Sequence, residues 1–96
     1  MERNSREPLF SISVAARLVG TSIRVLRYYE EMGLISPHRT SGNTRLYSNN
    51  DIKKLELIIM LQKEKDVNLS GIKIILGIIA DQNMTDSKVK ELLLKF

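Results

Sequence analysis

The sequence predicts a mainly α-helical fold in which a helix-turn-helix carries a two-stranded β-hairpin and is followed by two further helices and a short C-terminal helix. Three observations predict it. Apolar residues recur at helical spacing in separate stretches, as in Val25, Leu26, Tyr29 and Met32. Residues suited to capping precede these stretches, and Gly20 and Gly33 stand where two of them should end. Between Gly33 and Ser48 the pattern changes: turn residues from Thr40 to Thr44 give way to the alternation Arg45-Leu46-Tyr47, as in a returning strand.

Residues 1–10 are charged, contain a proline and lack periodicity, and are expected to form a flexible N-terminal arm. Residues 11–80 are expected to form one domain. Ser13 can cap a first short helix bearing Val14, Ala15, Ala16 and Leu18, whose small residues permit close packing of a second helix. Val19-Gly20-Thr21 makes the turn, and two helices joined through so short a glycine-containing turn form a helix-turn-helix. Ser22 caps the second helix. With its apolar positions turned inward, Arg24, Arg27 and Tyr28 fall together on the other face, near the N-terminal end, where they suit an anionic partner. Leu34 and Ile35 can begin a strand that Pro37 limits, and on the returning strand Arg45 and Tyr47 share a face opposite Leu46.

Ser48 and Asp51 have the spacing of a capping box for a long helix from about Asn49 to Lys65, with Ile52, Leu55, Ile58, Ile59 and Leu61 as its apolar set. Asn68 caps the next helix, with Val67 and Ile72 spaced as a hydrophobic staple and Leu69, Ile72, Ile75, Leu76 and Ile79 as its stripe. Residues 81–96 are expected to be a linker and a short helix in which Val89, Leu92, Leu93 and Phe96 repeat at helical spacing. So short a helix is marginal alone, and its stripe calls for the body of the domain or a second copy.

Composition narrows the function classes. A chain of 96 residues holds one modest core and acts mainly through its surface. The net charge of +4 favours an anionic partner only weakly, but its distribution says more: every arginine lies at or before Arg45 and every lysine at or after Lys53. Arginine suits bidentate contacts to phosphate and guanine edges, so the forked cations are concentrated in and around the second helix. There is no cysteine, which removes disulfides and thiolate metal sites, and the lone His38 reads as an exposed loop side chain. No metal or cofactor is expected. The apolar run from Leu69 to Ala80 is broken by Lys73 and too short to span a bilayer, and the N-terminus lacks a signal-peptide core, so a cytoplasmic protein without a membrane partner is the expectation. No nucleophile, base and orienting residue stand together and no phosphate-cradling loop is present, so an enzyme is not expected.

The string R-x-L-R-Y-Y-E-x-x-G-L-I-x-P, present as Arg24, Leu26 to Glu30, Gly33 to Ile35 and Pro37, followed by Arg45-Leu46-Tyr47-Ser48 and two helices, resembles the DNA-binding domain of the MerR family of bacterial transcription regulators over about Ser11 to Ile79. Within that family, Ser41 to Ser48 and Val67 to Leu76 look most like the heat-shock repressor and nitrogen-metabolism branches. The resemblance implies a winged helix-turn-helix with the hairpin as its wing. It also implies a homodimer on a pseudo-palindromic site in double-stranded DNA, with a C-terminal helix pairing antiparallel across the dimer, and repression as the sign of its action. Carried onto matching positions, Arg24 and Tyr28 would contact DNA from the reading helix, with its cap Ser22 in the contact set. Arg27 would support the backbone contacts, and Arg45 with Tyr47 would act from the wing. Arg39 stands evenly between a wing contact and an ordinary surface charge. The chain departs from the family where Gly-Tyr often precedes the wing arginine: here Asn43 and Thr44 stand, and asparagine tolerates the positive φ such a turn needs. The competing reading is a small helical protein-interaction or RNA-binding module that uses the C-terminal stripe.

Overall fold

The structure is a computed structural model that describes residues 4–95; Met1 to Arg3 and Phe96 lie outside the described residues. The chain divides into two compact units, Met1–Ile52 and Lys53–Phe96. The division falls inside a helix.

The first unit begins with a short strand, β1 (Phe10–Ser11), and two helices, α1 (Ile12–Val19) and α2 (Ile23–Glu31). Ser11, not Ser13, caps α1: its Oγ accepts from the Val14 N–H at 3.3 Å. Ser13 is the second residue of the helix, its hydroxyl 3.1 Å from that of Ser11, and two serines so close in sequence offer the same local signal. Gly20 then takes φ +74°, a left-handed conformation that costs glycine nothing and turns the chain towards α2. α1 packs on α2, β1 and β3. Ala15 and Ala16, buried on α1, and Leu26 and Tyr29, buried on α2, belong to the core of this unit. Met32, expected to face inward, is instead substantially exposed.

α2 ends in a Schellman motif: the Gly33 N–H donates to the Glu30 carbonyl at 3.0 Å and the Leu34 N–H to the Tyr29 carbonyl at 2.9 Å. Gly33 has the expected left-handed backbone, φ +77°. The motif corrects the expected strand at Leu34-Ile35. These residues are buried but not in a ladder, since the Leu34 N–H is committed to the helix end and Pro37 has no N–H to give. The strand begins after the proline, as β2 (His38–Arg39), and returns as β3 (Arg45–Tyr47).

The sheet also has one strand more than the expected pair. It is antiparallel in the order β1-β3-β2. Phe10 pairs with Tyr47 and Ser11 with Leu46, while His38 pairs with Leu46 and Arg39 with Arg45. Of the expected arm, residues 1–3 lie outside the described residues; beyond them the Leu9 N–H donates to the Tyr47 carbonyl at 3.0 Å and the Ser5 carbonyl accepts from the Asn50 N–H at 2.9 Å. A strand of two residues lies below what period-two alternation can signal, and its partner is far along the chain. Between β2 and β3 the turn follows expectation, with Asn43 at φ +65° and its N–H 2.8 Å from the Thr40 carbonyl.

α3 (Asn49–Lys63) starts with the capping box read from the sequence. The Ser48 N–H donates to Asp51 Oδ2 at 2.9 Å and the Asp51 N–H to Ser48 Oγ at 3.1 Å. The helix continues into the second unit, with α4 (Leu69–Asp81) and α5 (Asp86–Leu93). Leu55, Leu57, Ile58, Met60 and Leu61 are buried there, a wider set than the sequence stripe because α3 is covered on more than one face. Asn68 Oδ1 caps α4 by accepting from the Gly71 N–H at 2.8 Å. Gly71 itself is a packing requirement: a Cβ there would stand 2.9 Å from Val67 Cγ1 and 3.3 Å from Asn68 Oδ1, so staple and cap close over bare backbone. α5 is capped by Thr85, and its Val89, Leu92 and Leu93 are only half-buried. Among the described residues no helix is long and apolar enough to cross a membrane.

Candidate nucleic-acid interface

The exposed face of α2 carries the candidate surface. Ser22 Oγ accepts from the Val25 N–H at 3.2 Å, which fixes the helix start and leaves the hydroxyl hydrogen to donate. Arg24, Arg27 and Tyr28 are exposed and, with Ile23 and Glu31, line one open depression. No acidic residue stands in the first turn, so the positive end of the helix dipole adds to the two guanidinium groups. A polyanion is the partner such a surface attracts, and the two forked cations beside an aromatic ring suit base edges and phosphates.

The wing is arranged differently. Glu30, in the last turn of α2, accepts at Oε1 from Arg45 Nε at 2.7 Å and from Arg39 Nη2 at 3.1 Å, and its Oε2 also lies 3.1 Å from Arg39 Nη2. Arg39 Nη1 in turn donates to the Asn43 carbonyl at 3.2 Å. Burial alone would raise the Glu30 pKa, but the hydrogen bond and charge of Arg45, with those of Arg39, outweigh it and hold the carboxyl below its ordinary range. What the ion pairs contribute is therefore present above the ordinary carboxylate range and is lost as pH falls through the lowered value. Partly exposed pairs contribute about 0–1 kcal/mol each, so the network bears on geometry more than on stability. That Glu30 gathers both wing arginines is a long-range fact that no local spacing signals.

Tyr47 corrects the sequence expectation. It was placed with Arg45 on the wing face that meets DNA, yet its side chain is fully buried. The shared face is real, but it is the inner one: Arg45 on that face is drawn in to Glu30, and Tyr47 enters the core beside β1. Burial, with Glu30 and Asp51 adding to it, raises the phenol pKa, so the hydroxyl stays neutral. Among the described residues that hydroxyl has no hydrogen-bond partner. Tyr47→Phe is accordingly expected to leave stability unchanged or raise it by about 1 kcal/mol, and to leave any DNA affinity unaltered. A denaturation midpoint that falls on this substitution would contradict the assignment.

Comparison with known proteins agrees with this geometry. Residues 10–77 match the family model described as MerR HTH family regulatory protein. The chain is 46% identical over 85 residues to the HTH-type transcriptional regulator GlnR of Bacillus anthracis, covering 88% of this chain and 64% of that protein. It is 46% identical over 66 residues to a Streptomyces coelicolor protein designated as heat shock protein HspR, covering 69% of this chain and 44% of that one. Among solved structures, the transcription regulator PbrR691 from Ralstonia metallidurans, in complex with lead(II), is similar with a TM-score of 0.73 at 26% identity, covering 88% of this chain and 66% of that one. HiNmlR, a MerR family regulator lacking the sensor domain and bound to promoter DNA, shares the fold with a TM-score of 0.63 at 24% identity, covering 90% of this chain and 75% of that one. The chain thus spans less than two thirds of the length of the GlnR relative. Since the matched residues run from β1 through the reading helix and wing into α4, the elements that build the candidate surface are the ones this match covers, and the chain belongs to the MerR family of helix-turn-helix regulatory proteins.

Proposed function

We propose that the chain binds double-stranded DNA sequence-specifically as the reading unit of a transcription regulator, with α2 in the major groove and the wing beside it. One observation carries this reading: Leu26 and Tyr29 are buried while Arg24, Arg27 and Tyr28 stand exposed on the same helix, with Arg24 in its first turn. A recognition helix contacts base edges with such N-terminal residues. The relatives designated as transcriptional regulators support it. Affinity for a duplex selected from random sequence should fall steeply with salt, because bound arginines release condensed counterions. A slope of log affinity against log salt near zero would overturn the proposal. The nearest branches of the resemblance favour repression, which a reporter placed behind the selected duplex would register as reduced expression.

The unit is proposed to act as a homodimer on a pseudo-palindrome. Support comes from the half-buried Val89, Leu92 and Leu93 on α5, together with exposed Ile74 and Ile78 on α4 of the same unit. Phe96, the fourth residue of the stripe, lies outside the described residues. Replacing Leu92 and Leu93 with charged residues should weaken self-association and reduce binding to a double half-site more than to a single one. Sedimentation that finds the unmodified chain monomeric at high concentration would count against this helix as the dimer contact.

A further inference from the structure

Glu30 presents a problem for a surface that meets a polyanion. A carboxylate beside the wing weakens attraction to phosphate, and of the charges on two arginines and one glutamate a single net positive charge is left. On electrostatics alone, a neutral residue there would bind DNA better. The geometry gives the carboxylate another use. It joins three elements of one compact unit: the last turn of α2 through its own backbone, β3 through Arg45 Nε at 2.7 Å, and β2 through Arg39 Nη2 at 3.1 Å. From Arg39 the chain of bonds runs on to the carbonyl of Asn43, the left-handed residue at the wing tip.

We propose that Glu30 is a positioning residue for DNA recognition, which fixes the wing arginines at a set distance from Arg24 and Arg27 so that helix and wing engage one duplex in register. The inference rests on the DNA-binding reading above. Arginine is the side chain suited to the role, since Nε of Arg45 donates to Glu30 while the separate Nη1 and Nη2 of the same rigid fork can donate to a phosphate; the three donors of a lysine share one nitrogen and lack that fixed geometry. Holding two long side chains before DNA arrives removes rotamer freedom that would otherwise be lost on binding. The gain applies only to a duplex that places its phosphates where the fixed arginines are. Glu30 would therefore raise discrimination while lowering general attraction.

The test is Glu30→Gln, with affinities measured for the duplex selected from random sequence and for an unrelated duplex, and with circular dichroism to establish that the variant is folded. Affinity for the selected duplex should fall about tenfold, despite the loss of a negative charge, while affinity for the unrelated duplex is unchanged or higher. In the Glu30→Gln background, Arg45→Ala should weaken binding less than it does alone, because its orientation is already lost. Selected-duplex affinity equal to or above that of the unmodified chain, or additive effects of the two substitutions, would overturn the proposal. If Glu30→Gln does not fold, Glu30→Asp keeps the charge and shortens the reach: it should show the unmodified salt slope with weakened selected-duplex binding, and unmodified affinity would overturn the proposal. Failure of the unmodified chain to bind any duplex in a salt-dependent way would instead remove the DNA-binding reading itself.

Discussion

Leu26→Ala is expected to lower folding stability by roughly 2 to 5 kcal/mol, the range for truncating a fully enclosed leucine whose surroundings relax only partly. Leu26 has no exposed surface and lies on the inner side of α2, in a unit where α2 packs against α1. Its loss would leave a cavity under the helix that carries Arg24 and Arg27. Met32→Ala provides the contrast. Met32 follows the same helix but is 41% exposed, so its truncation should cost about 0.5 kcal/mol or less. Denaturant titration of the two variants checks both values, and a midpoint unmoved by Leu26→Ala would show that the buried face of α2 has been misassigned.

Arg24→Ala is expected to cost roughly 1 to 3 kcal/mol of DNA affinity and to relax base preference at one position of each half-site, as for the loss of a bidentate contact to a guanine edge. Arg24 stands in the first turn of α2, exposed, with no acidic neighbour in that turn. Arg45 differs in its surroundings, being held by Glu30 at 2.7 Å. Its loss should weaken the selected duplex and its single-base variants by similar factors, with a change in salt slope of at most about one unit, since its charge is already partly offset. Titrating both variants against single-base changes in the selected duplex separates the two roles. A base preference altered by Arg45→Ala and not by Arg24→Ala would mean that the wing reads and the helix only docks.

What the sequence made legible was mostly local. The caps at Ser22, Ser48 with Asp51, and Asn68, and the left-handed Gly33 and Asn43, each depend on groups within a few residues, and local residue choice is enough to specify them. The exposed trio on α2 was legible for the same reason, through helical periodicity. The misses share a different cause. β1 pairs with β3 across most of the first unit, so nothing near Phe10 announces it. Alternation on β3 did put Arg45 and Tyr47 on one face, but which face meets the core depends on β1 and on Glu30, neither of which is near in sequence. On α3, Leu57 and Met60 fell outside the stripe because a helix covered on several sides has no single apolar face to detect.

Titration of the chain with its selected duplex, followed through amide NMR shifts, tests most directly whether α2 and the wing form the DNA-binding surface. The largest changes should fall on Ser22 to Tyr28 and His38 to Arg45, with smaller ones in α5. Changes concentrated in Asp86–Leu93, with α2 unmoved, would place the nucleic acid on the C-terminal stripe and contradict a reading helix in α2.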